Sequence, residues 1–375
     1  MKKSIAYKLG AAVFLVAVAS LAAWFVFTNV GNSKGNNDKG YHEASYYEKL
    51  GDKAVQCKLC PNFCRLKPDQ IGLCKARKNI DGKLYSIVYG NIAAKHLDPI
   101  EKKPLYHFLP GTAAYSIATT GCNLGCLFCQ NWQISQIFPW ETKIQKMSPE
   151  EVVDEALKSG AKSIAFTYNE PTIFYEYMLD IAKLAKKKGL KTAVISAGFI
   201  NPEPLKELLP YIDAYKIDFK GYSEEFYKKL TNARLTPVLE TMKTIKQSNT
   251  WLEIVNLVIP GENDSDKDLM GLINWIKDNL GTDVPLHFLR FHPDYKLLNK
   301  PPTPEETVKK ARKMAMDAGL KYVYTGNIFF PEGSTTYCPK SKKPAIEREV
   351  FFVTKNNLTP EGRCSDGEKI PGVWK

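Results

Sequence analysis

The chain has 375 residues, enough for one large barrel-type domain with additions or for two ordinary domains. Hydrophobic residues make up 44% and charged residues 25%, which excludes a disordered or fibrous chain. The formal net charge of +12 is spread over short pieces such as Lys186–Lys188, Lys228–Lys229 and Lys309–Lys310; no stretch interleaves basic and aromatic residues, so nucleic acid is not an expected partner.

Residues 1–8 are basic, and no charge follows from Leu9 to Ser33. An apolar run of that length predicts one transmembrane anchor over 9–30, with Trp24, Phe25 and Phe27 at an interface. A cleaved signal peptide is the competing reading, because "AVASLAA" offers small residues. Residues 31–50, with "GNSKGNNDKG", read as a flexible linker.

Residues 51–110 carry "CKLCPNFCRLKPDQIGLCKAR", placing Cys57, Cys60, Cys64 and Cys74 together. Four thiolates suit a zinc ion or an auxiliary iron–sulfur cluster, with two disulfides as the bland alternative. The following "DGKLYSIVYGNIAAKHL" reads as a small strand pair turning at Asp81-Gly82.

From 111 to 330 strand-like and helical patterns alternate. The strand-like runs are 113–120, 163–168, 191–196, 213–219, 251–259, 285–291 and 321–325. Ser148-Pro149-Glu150-Glu151 and Thr303-Pro304-Glu305-Glu306 read as capping boxes that start helices, and Gly160, Gly189 and Gly319 as left-handed helix ends. Repeated strand–helix units predict an α/β fold with a parallel sheet, closed as a partial (β/α)6-type barrel. Chemistry then collects at the carboxyl ends of the strands. That rule selects Cys122–Cys129, Asn169-Glu170-Pro171, Ser196-Ala197-Gly198, Asp218, Lys220, Asn256, His287, Arg290 and His292.

Within "GCNLGCLFCQNW", Cys122, Cys126 and Cys129 supply three thiolates directly after a strand. Three thiolates hold three irons of a [4Fe–4S] cube and leave the fourth open. A structural zinc completed by a distant ligand such as His107 competes, but such sites favour paired C-x2-C knuckles.

The run C-x3-C-x-F-C, with Cys122, Cys126, Phe128 and Cys129, resembles the signature of radical S-adenosylmethionine (SAM) enzymes. The wider stretch "DPIEKKPLYHFLPGTAAYSIATTGCNLGCLFCQNWQIS" is similar to the branch of pyruvate formate-lyase activating enzymes, and within it to the AmmeMemoRadiSam type. The resemblance spans roughly residues 55–375. It implies SAM on the open iron, one-electron cleavage to a 5′-deoxyadenosyl radical, and hydrogen abstraction from a protein or small molecule. It also implies a low-potential donor of flavodoxin or ferredoxin type, and Memo-like and AMMECR-like partners. Phe128 would lie against adenine. Glu170, in "TYNEP", stands where the family's "GGEP" glutamate meets the SAM ammonium, with Tyr168-Asn169 replacing two glycines. Ser196 and the pair Asp218 and Lys220 in "KIDFK" match positions near the SAM carboxylate or ribose.

The tail, 331–375, departs from these relatives. Cys338 and Cys364 remain, while Ser341 and Asp366 stand where partner cysteines would be, so a degenerate zinc-ribbon-like tail without tightly held zinc is expected. Because the chemistry needs SAM and reduced thiols, the anchor predicts a membrane-tethered catalytic domain on the cytosolic side. A membrane-tethered iron–sulfur electron carrier or metal scaffold is the competing function; such a protein would close its cluster with four cysteines.

Overall fold

The computed structural model describes residues 40–375. Eight strands form the central sheet: β1 Ala94–Pro99, β2 Ala113–Ala118, β3 Ser163–Phe166, β4 Lys191–Ser196, β5 Ala214–Asp218, β6 Trp251–Val258, β7 Leu286–Arg290 and β8 Val323–Gly326. They lie side by side in chain order. Strands β2 to β8 run parallel, and β1 pairs antiparallel with β2. Helices α1 Pro149–Lys158, α2 Tyr175–Lys187, α3 Pro202–Leu208, α4 Leu235–Lys246, α5 Asp266–Leu280 and α6 Glu305–Asp317 occupy the crossovers. The strands are apolar runs because both faces are covered: Ile164, Ala165 and Phe166 are wholly buried, as are Ala193 and Val194.

Each of the seven strand-like runs coincides with a parallel strand to within a few residues. The expected fold class is corrected in two respects. The six strand–helix units are present and lead into a seventh parallel strand, β8, but the sheet gains an antiparallel edge, β1, because the segment before β2 folds back and pairs with it. And no helix among the described residues is long and apolar enough to cross a membrane. The anchor expected over 9–30 lies outside the described residues, so the membrane-anchored localisation, with its cytosolic face, has no structural support and is withdrawn.

Ser148 caps α1 as expected: its Oγ accepts from Glu151 N at 3.2 Å, and Glu151 accepts from Ser148 N at 2.6 Å. Thr303 does not cap α6. Its hydroxyl donates to Val258 O at 2.6 Å and accepts from Phe291 N at 3.0 Å, tying the β6 and β7 ends together.

Ahead of the sheet, Arg77–Ile80 and Lys83–Ser86 form a hairpin turning at Asp81-Gly82, both at positive φ, as predicted. Arg77 is buried and bonds both oxygens of Glu176 on α2, at 2.7 and 2.8 Å, so this segment is clamped to a helix that covers the sheet. Behind the sheet, Thr336–Tyr337, Pro344–Glu349 and Phe352–Asn356 form a three-stranded sheet. A disulfide joins Cys338 to Cys364, a pairing not read from the sequence. The chain end returns to the loop before β2, where Val373 N donates to His107 O and accepts from Leu109 N through its carbonyl, at 2.8 and 2.7 Å.

Candidate active site

The loop after β2 is fixed by its own backbone and by asparagines. Gly121 N donates to Ile134 O, Gly125 N to Thr231 O and Leu127 N to Leu230 O, at 2.8–2.9 Å. Asn123 Nδ2 donates to Phe199 O at 2.8 Å, and Asn169 Nδ2 to Gly121 O at 3.0 Å. Gly121 has φ +93°, and a Cβ there would fall 2.3 Å from Cys74 O. Only glycine allows this loop to lie so close to the upstream cysteine segment.

A cavity of about 460 Å³ opens at the carboxyl ends of the strands. Every sequence-predicted member of the SAM site lines it: Cys122, Cys126, Phe128, Cys129, Asn169, Glu170, Ser196, Asp218 and Lys220. Burial pushes the Cys126 thiol up to about 11, against the pull of Lys220, and burial beside Glu170 raises Cys122 further. Such thiols stay protonated until a metal displaces the proton.

Glu170 is buried at the end of β3. Its Oε1 accepts from Ser196 Oγ at 2.6 Å, Thr172 Oγ1 at 2.8 Å and Thr172 N at 3.1 Å; its Oε2 accepts from Ala197 N at 2.8 Å. Four donors from two strand ends therefore occupy the carboxylate. Its neighbour Asn169 keeps Oδ1 buried and without a hydrogen-bond partner. Tyr168 takes φ +68°, the backbone shape a glycine adopts freely. Its hydroxyl donates to Asp98, and its carbonyl accepts from Asn131 Nδ2 at 2.9 Å, which holds the strained turn in place.

Asp218 lies between two lysines. Lys216 is in direct contact with it, and Lys220 Nζ is 3.6 Å away. Burial raises the Asp218 carboxyl, but the two ammonium groups outweigh it and the net shift is downward. Lys220 is held strongly charged: burial opposes the charge, while the carboxylate of Asp218 favours it and the net shift is upward. Lys220 Nζ also sits 5.7 Å from the centre of the Phe128 ring.

Other strand-end candidates separate. Asn256 Nδ2 donates to Phe219 O at 2.8 Å, fixing the backbone between Asp218 and Lys220. Arg290 Nε donates to Thr303 O at 2.8 Å. His287 lies outside the cavity, buried against Glu253 at 2.8 Å. Glu253 also accepts from the backbone N–H groups of Tyr106 and His107. His107 belongs to the same cluster: Nδ1 donates to Pro371 O and Nε2 accepts from Tyr324, both at 2.7 Å, far from any role on the cysteine loop. His292 stands at the rim, 3.4 Å from Gln130 of the cavity wall.

Sequence reasoning missed Lys102, Lys103 and Lys216 on the wall. Lys216 was legible, since it alternates with Asp218 on one strand face. Lys103 had no signal. It arrives because β1 folds back on β2, and it then bonds Asp98 at 2.6 Å beneath the Tyr168 ring. Burial lowers its ammonium to about 8, against the pull of Asp98.

The radical SAM superfamily model matches residues 116–273, from within β2 into α5. An uncharacterized protein of Methanocaldococcus jannaschii is 48% identical over 330 residues, covering 88% of this chain and 98% of that one. The pyruvate formate-lyase-activating enzyme of Staphylococcus epidermidis is 26% identical over 222 residues, covering 52% of this chain and 86% of the enzyme. Among solved structures, Streptococcus suis SuiB bound to S-adenosylmethionine aligns with a TM-score of 0.46 at 13% identity, over 56% of this chain and 49% of that one. The chain belongs to the radical SAM superfamily, and is an enzyme of that kind that works with a [4Fe–4S] cluster and S-adenosylmethionine.

Proposed function

We propose that Cys122, Cys126 and Cys129 bind three irons of the cluster and that the adjoining cavity receives SAM at the fourth. The observation that supports this most strongly is the placement of three thiols and six predicted cofactor residues around one cavity. When bound, the cluster and SAM supply reductive cleavage to a 5′-deoxyadenosyl radical. The residues position and shield. Phe128 offers its ring to adenine, with Lys220 behind it. Lys220 and Ser196 serve the SAM carboxylate and ribose, and Asp218 orients Lys220. Asn169 Oδ1, a buried acceptor without a partner, suits the SAM ammonium. Glu170 then acts through Ser196 and Ala197, whose positions it fixes.

Radical SAM activating enzymes take their electron from a low-potential donor of flavodoxin or ferredoxin type. The names of the activating-enzyme relatives support a partner enzyme as the substrate, and the sequence resemblance suggests a glycine in it as the group that loses hydrogen. Memo-like or AMMECR-like partner proteins rest on the sequence resemblance described above. The first test is anaerobic. Protein reconstituted with iron and sulfide, reduced with dithionite and given SAM should release 5′-deoxyadenosine, and Cys126→Ala should release none. A cluster-loaded protein that releases none with any of these partners present would favour the electron-carrier reading.

A further inference from the structure

Cys57 ends the short strand Val55–Cys57, Cys60 and Cys64 lie in the loop leading to its partner strand Arg65–Leu66, and Cys74 follows that pair, yet their thiols line one cavity. None of the four is joined in a disulfide. Leu59, Leu66 and Ile173 supply apolar wall, so few groups compete with sulfur. Gly72 forms one side: a Cβ there would lie 3.7 Å from Cys74 Sγ and 3.9 Å from Cys64 Sγ, filling the space the two sulfurs face.

The size of that space separates the two candidate occupants. The cavity measures about 20 Å³, somewhat more than the roughly 10–15 Å³ one water needs. Four sulfurs at about 2.3 Å from a zinc ion would close on it and leave no such void. A cube holds its sulfurs further apart, each on its own iron.

We propose that Cys57, Cys60, Cys64 and Cys74 hold a second [4Fe–4S] cluster, every iron carrying a cysteine, against the back of the three-cysteine loop. Asn62 Nδ2 donates to Asn123 O at 2.9 Å, and Asn123 itself lines this cavity. Asn123 is the residue after Cys122, and Gly121 rests on the carbonyl of Cys74. The two cysteine groups are thus separated by one layer of backbone. A cluster with no open iron offers substrate nothing, and its chemistry is one-electron exchange. A low-potential donor gives one electron, the cube passes from 2+ to 1+, and no bond in the protein forms or breaks. The pairing of two clusters rests on the function proposed above, whereas the four-cysteine site stands without it.

The test compares the full chain with Cys122→Ala/Cys126→Ala/Cys129→Ala after anaerobic reconstitution with iron and sulfide. The full chain should bind about eight irons and eight sulfides, and the triple variant about four of each. After dithionite, the variant should show the signal of a single reduced cube in electron paramagnetic resonance. The full chain should show that signal broadened by its neighbour. A full chain with about four irons and one zinc, or a cooperatively folded variant with no iron, overturns the proposal. Should the variant fail to fold, the iron count of the full chain decides. A full chain with eight irons that does not cleave SAM would fail the proposed function and leave the second cluster standing.

Discussion

Gly121→Ala probes the contact on which both cysteine groups depend. At φ +93° an alanine is strained, at a cost of about 1–2 kcal/mol. Its Cβ would also lie 2.3 Å from Cys74 O and must retreat to at least 3.0 Å, a displacement of 0.7 Å between two backbones. Overpacking of that kind costs a further 1–3 kcal/mol or so. Gly160→Ala is the control, because Gly160 has φ +77° and nothing within 4 Å of its Cβ position. Both substitutions stiffen the unfolded chain alike, so that contribution cancels in the difference. Urea unfolding of the reduced, metal-free proteins should place Gly121→Ala about 1–3 kcal/mol below Gly160→Ala at equal m-value. Reconstituted Gly121→Ala should also bind less iron, since the shift moves Cys122 relative to its partners. Equal midpoints and equal iron would refute the close approach of the two segments.

Arg77→Met leaves Glu176 buried without its guanidinium and should cost about 3–5 kcal/mol; Arg77→Met/Glu176→Gln should recover much of the loss in the same urea assay, and no recovery would contradict the pairing. Glu170→Gln must turn an amide NH2 toward either the Ala197 or the Thr172 backbone N–H, a loss of about 1–3 kcal/mol read by thermal melting. An unchanged melting temperature would mean the carboxylate is not bound as described. Acid should weaken the fold through its buried histidines. Burial holds His107 down at about 4, and His287 is lowered for the same reason. The unfolded chain therefore takes the protons first. Stability is full above about pH 6.5 and falls toward pH 4, by up to about 3 kcal/mol from His107. A urea midpoint that stays level from pH 7 to 4.5, or an equal fall in His107→Gln, would oppose this.

Local pattern determined much of the molecule. Two-sided burial makes each parallel strand a short apolar run, so seven strands and their carboxyl-end residues were readable without tertiary knowledge. The three-cysteine spacing is a property of one loop and was equally plain. Thr303 shows where local reading stops, since the hydroxyl-Pro-Glu-Glu pattern that caps a helix at Ser148 here serves a contact with Val258, 45 residues away. The backfolded β1 and its Lys103, the Cys338–Cys364 pair, the Glu253–His287–His107 cluster and the Ser196 and Ala197 donors to Glu170 all depend on partners distant in sequence. Long-range contacts of this kind leave no periodicity in the chain, and only the packed structure decides them.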